Sequence, residues 1–433
     1  MSTTEKPSVL IVGAGLGGLM LGALLEKCDV PYTIFERAAV VKPLGSAINI
    51  AAPVLPLFEQ IGIFDECEAK GKAFTHSTVS AEGQGKIQTV SYTPIKDFTG
   101  YKQYILSRPV LYDLILNKVP RNKVLFDKRV HGIYESTNKV TIKTTDNCTY
   151  EGDILVGADG AYSTVRRSLY ETLKSKGVLP VSDQEDLFFS CTCLVGQTPE
   201  LDSKDFPSVN LPLCDFKSFT DKDKSYGITT FTTAQRGISW AVVQQLNAKS
   251  SKAAEAQWSQ AGEKSETPED LISKVTLDEK VFETWHHGRT VLLGDACHKL
   301  HPSGGHGAVT AMHDAVALAN LIYALPNSSS EEITKAFTEY HSERLPFVMD
   351  SFKSSQILAK SFEKGIAGTI ASFLARNLPQ FVWNLLWKSM VKNRPVAGFL
   401  PQIPPKGNIP AVVSPSTEKA RRVFDSRQGT RAI

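Results

Sequence analysis

A chain of 433 residues, 42% of them hydrophobic, holds enough apolar material for two or three domains of about 150 residues each. With 48 Lys and Arg against 45 Asp and Glu, the formal charge is only +3 and is spread along the chain, which excludes the one-sided basic surface that nucleic-acid binding needs. Seven cysteines without a Cys-x-x-Cys exclude a disulfide framework and a redox-active pair, so a reducing, cytoplasmic compartment is expected.

Val9 to Val12 is a short apolar run that ends in Gly13-Ala14-Gly15-Leu16-Gly17-Gly18 and passes into a helical pattern through Leu25. This is the G-x-G-x-x-G turn. Gly13 permits the tight bend, Gly15 lets a pyrophosphate approach the backbone, and Gly18 lets helix pack on strand. No basic segment precedes the run and it breaks at Gly13, so it reads as a strand rather than a signal peptide. Tyr32 to Phe35 predicts a second strand, and Glu36 at its end is placed to bond the ribose hydroxyls of an adenosine. From His76 to Gly100 the pattern alternates on either side of Glu82-Gly83-Gln84-Gly85, which predicts a hairpin. A helix follows at Arg108-Pro109, with Leu111, Leu114 and Ile115 inward, and Lys123 to Thr145 alternates like antiparallel strands.

Asp153 to Gly157 repeats the strand, turn and helix theme, with Ala158-Asp159-Gly160 in the turn and Ser163 as an N-cap. Residues 186 to 285 hold three β-like runs, Phe188 to Val195, Tyr226 to Thr233 and Ile238 to Leu246, with no βα alternation, which predicts a mixed or antiparallel sheet. Cys191 and Cys193 share one face of it and read as small buried residues. Asp221 to Lys224 and Lys249 to Glu269 read as polar surface. Thr290 to Leu293 is a buried parallel strand whose end, Gly294-Asp295, delivers a carboxylate into a crevice. The glycine-rich bend from Pro302 through Gly305, His306 and Gly307 then opens a helix predicted to reach about Leu325, so the first amides, at Gly307 and Ala308, point back at whatever Asp295 holds.

Ser328 to Glu332 carries a capping signal for an amphipathic helix to about Pro346. Gly365 to Trp387 holds a single charge, Arg376, yet a central Arg costs ~2.5–3.5 kcal/mol on insertion scales. That segment reads as two short helices broken at Pro379, packed on the body or resting on a membrane surface with Phe381, Trp383 and Trp387 at the interface. The basic end, Lys419 to Arg431, reads as a solvated tail.

Three of these motifs, the turn at 13–18, Gly157-Ala158-Asp159-Gly160 and Gly294-Asp295, stand in this order after apolar runs. Together they resemble the class A flavin monooxygenases, the family of para-hydroxybenzoate hydroxylase, salicylate hydroxylase and the fungal epoxidases, over roughly residues 8 to 350. The resemblance implies an α/β fold: a Rossmann-like FAD-binding domain made of residues 1–75, 100–185 and 286–345. An inserted mixed or antiparallel β-sheet substrate domain would occupy 76–99 and 186–285, and a C-terminal helical region with its tail 346–433. It also implies noncovalent FAD and NAD(P)H as a transient co-substrate, consistent with a single G-x-G-x-x-G. The activity implied is hydroxylation or epoxidation of an apolar or aromatic molecule by O2, through a flavin C4a-hydroperoxide.

Residue by residue, the resemblance puts Arg37 near the adenosine half and Gly45 with Ala47 in a small-residue segment along the flavin. It puts Arg108 against the ribityl and phosphate region, Val130 at the adenine, and Asp159 at the pyrophosphate and the docking point of NAD(P)H. Two departures stand out: Gly305-His306-Gly307 replaces the commoner Gly-Gln-Gly, and His313 replaces the acidic residue often found before Asp314. No catalytic acid or base is assigned, because this chemistry belongs to the cofactor. An FAD-dependent reductase of unsaturated lipids and a non-catalytic FAD-binding regulatory protein are the alternatives. An NAD-dependent dehydrogenase leaves Asp159 and Asp295 without a role, and the Trp-x-Trp-x-Ile-Pro of flavin halogenases is missing. His298, His301 and His306 are separated by a proline and glycines, so they share no helix face and predict no metal site.

Overall fold

The computed structural model describes residues 6–41, 46–81, 85–185, 187, 189–221, 226–246, 272–360, 373 and 378–431. At its centre lies a six-stranded sheet in the order His286–His287, Thr290–Leu292, Ile154–Gly157, Val9–Val12, Tyr32–Phe35 and Val124–Leu125. Apart from the antiparallel edge at His286–His287, its neighbours are parallel. Val9–Val12 and Ile154–Gly157 are buried along their whole length, as expected of Val- and Ile-rich strands covered on both faces. The expected antiparallel reading of Lys123 to Thr145 holds for only part of it. Val124–Leu125 joins the parallel sheet, while Val130–Glu135, Val140–Thr144 and Thr149–Gly152 form a separate antiparallel layer.

Two helices, Leu16–Lys27 and Gly307–Tyr323, pack on the central sheet and on each other. Both are apolar around most of their circumference, the pattern of an interior helix. Their approach is close because Gly17 has no side chain, and a Cβ there would meet Ala311 and the Leu293 side chain. Each fully buried leucine of this layer, such as Leu19, Leu24 and Leu318, contributes roughly 1.5–3 kcal/mol.

A second sheet of seven strands runs in the order Ser273–Asp278, Phe189–Gln197, Ile238–Gln245, Tyr226–Thr232, Phe216–Asp221, His76–Ala81 and Gly85–Ser91. It is mixed. All neighbours are antiparallel except Phe216–Asp221 with His76–Ala81, and that parallel junction ties the early hairpin to the later strands. The turn of that hairpin, 82–84, and the stretches 222–225 and 247–271 lie outside the described residues. A small sheet of Ala47–Ile50, Gln103–Ser107 and Lys72–Phe74 stands between the two large ones.

The C-terminal part departs from expectation in two places. The helix that starts at Ser330 does not stop at Pro346 but runs to Lys360. A proline inside a helix costs about 3 kcal/mol; here Arg344 and Val348 on either side are buried in the body, and their contacts offset that cost. The basic end is not a free tail either. It forms the helix Pro415–Arg431, with Lys419 paired to Glu339 at 2.7 Å and the Arg427 guanidinium over the Tyr323 ring. Pro379 does precede a helix, Gln380–Met390, whereas residues 365–372 and 374–377 lie outside the described ones.

Candidate cofactor and substrate site

The cofactor side is assembled at the ends of the parallel strands. Gly13 has φ +107°, and a Cβ there would run into the carbonyl of Ala158, so the first turn and the Ala158-Asp159 turn touch backbone to backbone. A Cβ on Gly18 would strike the Gly13 carbonyl, which explains the third glycine of the motif. Gly15 is different: nothing lies within 4 Å of its Cβ position, so its open side is the cradle that close approach of a phosphate requires. The helix behind it starts with no side-chain cap, leaving its first amides free for an anion.

Glu36 follows the second strand. Its Oε2 accepts the Ala14 amide and its Oε1 the Ala38 amide, both at 2.9 Å, which pins the carboxylate beside the glycine turn. Each oxygen retains acceptor capacity for a hydroxyl. Arg37 next to it is exposed. Val130 is buried at the start of its strand, next to Lys128, whose amide donates to the Glu36 carbonyl. The segment after Glu36 includes Gly45, which lies outside the described residues; Ala47 opens a strand paired with Ser107. Along it, Ser46 Oγ and Asn49 Oδ1 are buried without a hydrogen-bond partner among the described residues.

Asp295 ends the strand Thr290–Leu292 in a short 3₁₀ turn. Asp295 is exposed to solvent, and the Cβ position of Gly307, where the next helix opens, lies 3.9 Å from its Oδ1. The crowding of protein around it pushes its pKa up, against the pull of His298, Arg108 and Lys299. Arg108 therefore lies close enough to feel this carboxylate, and its amide bonds Ser46 O at 3.4 Å. Pro302 starts the turn Pro302–Gly304, Gly305 takes φ +63°, and His306 precedes the helix without capping it by its side chain. The amides of Gly307 and Ala308 thus stay free. Burial lowers the pKa of His306 below its ordinary 6.5.

Asp159 is bonded within its own segment. Its Oδ1 accepts from Ser163 Oγ at 2.5 Å, and its Oδ2 accepts the amides of Thr164 and Val165 at 2.6 and 3.2 Å. Ser163 Oγ in turn accepts the Arg166 amide at 2.9 Å. The side chain is thus engaged in capping the helix Thr164–Ser175, and burial raises its pKa against those bonds.

Beneath Asp295 lies a group that sequence reasoning missed. Asp314, fully buried, accepts from Arg344 Nε at 2.7 Å and from the Gly294 amide at 3.3 Å, and meets His298 Nε2 at 2.6 Å. Burial alone would raise this carboxyl, but His298 and Arg344 bring it down to about 2. The ion group holds Gly294, and with it the backbone that aims Asp295. The available signal was a carboxylate inside an otherwise apolar helix, which must be paired. The three histidines of the loop diverge: His298 turns to Asp314, while His301 turns to Gln245 at 3.3 Å and Ser303 at 3.2 Å.

Opposite this loop stands one face of the seven-stranded sheet. Register puts Leu277, Cys191 and Gln245 side by side on that face, followed by Cys193, Val243 and Gly227 and then by Ala241, Thr229 and Ser218. It closes on the body at two ends. At one, Phe216 and Phe231 pack with Phe74 and Ile105; at the other, Gln245 meets His301. Between the closures Val79, Ser218, Thr229, Ala241 and Val243 are half-buried. Lys299 and Asp278 lock the strand ends nearby as a buried ion pair at 2.7 and 2.9 Å.

These residues fit an FAD. The open cradle at Gly15 and the two uncapped helix starts offer room and donors to anionic groups, and the strand-end carboxylates Glu36 and Asp295 offer acceptors to hydroxyls. The family model described as an FAD binding domain matches residues 6–355. The chain belongs to this family of FAD-dependent oxidoreductases. It is 27% identical over 367 residues to "FAD-dependent monooxygenase ctvC" of Aspergillus terreus, covering 78% of this chain and 76% of that one. It is 28% identical over 405 residues to "FAD-dependent monooxygenase paxM" of Penicillium paxilli, covering 85% and 81%. Among solved structures, Klebsiella pneumoniae HpxO complexed with FAD and uric acid superposes with a TM-score of 0.69 at 19% identity, covering 89% of this chain and 96% of that chain. FAD is its cofactor, and the fold is that of the class A flavoprotein monooxygenases.

Proposed function

We propose that this protein is an FAD-dependent monooxygenase that uses NAD(P)H and O2 to hydroxylate or epoxidise an apolar or aromatic molecule bound between the cofactor loop and the seven-stranded sheet. The observation that carries the reading is that Gln245, at the end of that half-buried, small-residue face, meets His301, the residue that opens the turn Pro302–Gly304 before the uncapped helix at Gly307. The similarity to proteins named FAD-dependent monooxygenases supports it.

FAD, when bound, supplies the redox chemistry: it takes two electrons from NAD(P)H and activates O2, so that one oxygen atom enters the substrate and the other leaves as water. The chain supplies position and charge. The amides opening Leu16–Lys27 hold the pyrophosphate, Glu36 the adenosine ribose, and Asp295 with Arg108 the ribityl portion and its phosphate. The amides at Gly307 and Ala308 stabilise negative charge on the ring through aligned N–H groups. The apolar face excludes water from the reacting atoms.

The test is turnover of purified holoenzyme with NADPH or NADH and a panel of phenols and isoprenoids under 18O2. A compound that speeds nicotinamide oxidation and gains one labelled oxygen is the expected result. Reduction of a double bond without label would favour a reductase, and no turnover on any compound would favour a regulatory flavoprotein. The reading extends to a lipid surface as the source of substrate. On Gln380–Met390, Trp387 packs inward against Ser91 and Tyr92 and Trp383 stacks on it, while Phe381, Leu385, Leu386 and Met390 are exposed.

A further inference from the structure

A cavity of about 380 Å³ opens where the strand Lys72–Phe74 meets the 3₁₀ turn Pro207–Asn210 and the exposed turn at Ala234 to Arg236. None of the residues that line it belongs to the cofactor site described above. Lys72 forms part of its wall and is 7% exposed. Its ammonium donates to Val209 O at 2.8 Å, and Val209 lines the same cavity. An ammonium carries three N–H donors, so two remain beyond that bond. No carboxylate among the described residues forms an ion pair with it; Asp215, near enough to be felt, is held by Lys217 at 2.6 Å. Burial lowers the pKa of Lys72, against the pull of Cys214 and Asp215.

A buried cation whose one bonded partner is a neutral carbonyl is costly unless an anion reaches it. The rest of the wall suits such a guest. Lys102 and Arg236 are exposed at its mouth, and Glu68, which accepts from the Tyr104 hydroxyl, is the carboxylate among the described lining residues. Arg236 also pairs with Glu200, so these three cations and two carboxylates leave a single positive charge. Leu211 and Pro212 add apolar surface beside it. We propose that this cavity binds a small organic monoanion, its carboxylate accepting from Lys72 Nζ and its short apolar part lying against Leu211 and Pro212. The guest sits between two joined segments: the Cys214 amide donates to Ala73 O at 2.8 Å, and Phe74 packs on Phe216 at the aromatic closure of the sheet face, with ring centroids 5.6 Å apart. The site stands whether or not the protein transfers oxygen.

The experiment is isothermal titration of FAD-loaded protein with butyrate and with butyramide, which share a shape and differ in charge. Loading with FAD fills the anion cradle at the glycine turn, so that surface does not compete. Wild type is expected to hold butyrate about tenfold or more tighter, the range of one hydrogen bond to a charged group. Lys72→Met, which keeps the stem and drops the ammonium, should abolish the preference. Ala234→Glu alters an exposed position at the mouth and adds a negative charge there, so it should weaken butyrate by about threefold or more and leave butyramide unchanged. Flavin content equal to wild type reports an intact fold in each variant, and Ala234→Glu carries the test should Lys72→Met fail to fold. Equal binding of the two probes by wild type overturns the proposal. A preference undiminished in Ala234→Glu overturns it as well, because the carboxylate would then be bound elsewhere.

Discussion

At the scale of single residues, the carboxylate at the strand end and the histidine before the long helix make separable demands. Asp295 is exposed to solvent beside Gly307, with Arg108 near enough to interact and no backbone amide bonded to its oxygens among the described residues. Asp295→Ala should therefore keep the fold and weaken FAD binding by about tenfold to a hundredfold, the range expected for losing hydrogen bonds to a charged group. Flavin occupancy of the purified variant and FAD titration by fluorescence quenching measure this; occupancy equal to wild type would show that the carboxylate does not face the cofactor. His306 behaves otherwise. Burial lowers its pKa from 6.5, so the ring is neutral at pH 7 and above and adds charge only in acid. The midpoint potentials of wild type and His306→Gln should superimpose from pH 7 to 8 and separate only below pH 6.5, where protonation favours the reduced, more negative cofactor. Spectroelectrochemical titration of both proteins decides, and curves that already diverge at pH 8 would show that burial does not set this ring.

At the scale of elements, the helix Gly307–Tyr323 shows what a sequence makes legible and what it hides. Its start at Gly307 was readable from the glycine-rich bend and its inward face from the 3.6-residue period, because both are local properties of the chain. The two turns at 13–18 and 157–160 were readable for the same reason. Asp314 was not, since its partners Arg344 and His298 lie on other elements and only the fold brings them together. Asp159 differs, since its acceptor oxygens are engaged within four to six residues by the helix that follows it. Pro346 misled for a physical reason: local propensity ends a helix there, and tertiary burial of its neighbours outweighs the propensity.

The buried histidines of these elements predict how the protein responds to acid. His313 is held down to about 3 and His301 to about 4, so the unfolded chain takes up a proton at each below pH 6.5 while the folded chain does not. Their contribution is complete above pH 6.5 and is lost as pH falls toward those values, by about 1.4 kcal/mol per pH unit for each group. Asp314, depressed to about 2, adds a further loss only below its ordinary 3.8. Urea midpoints measured from pH 8 to 5 should therefore fall steadily below pH 6.5. His313→Leu, which removes a buried ring whose Nε2 has no partner among the described residues, should reduce that slope by one proton's share. A slope unchanged in His313→Leu would mean that this ring is already charged in the folded state.

At the scale of the whole molecule, the seven-stranded sheet reaches the cofactor loop through Gln245 and His301, and the helix Gln380–Met390 lies against the hairpin strand Gly85–Ser91 of that sheet. Trp387 donates to the Ser91 carbonyl at 3.2 Å and stacks on Trp383, with ring centroids 5.4 Å apart, so the helix is fastened to the body by one face. Its other face exposes Phe381, Leu385, Leu386 and Met390, with Lys388 and Lys392 beside them. None of the described helices is long and apolar enough to cross a membrane. Four exposed apolar side chains flanked by two lysines suit the boundary of an anionic bilayer, where each lysine near the surface contributes about 1 kcal/mol. The expected outcome is flotation of the full chain with vesicles containing anionic lipid, weakened by added salt and abolished in Phe381→Ser/Leu385→Ser. Those changes touch only exposed positions and leave the Trp383 and Trp387 anchorage alone, so flavin content serves as the control for folding. Equal recovery of wild type and variant in the soluble fraction, at low salt and with anionic vesicles, would reduce the helix to a packing element and leave the substrate to arrive from water.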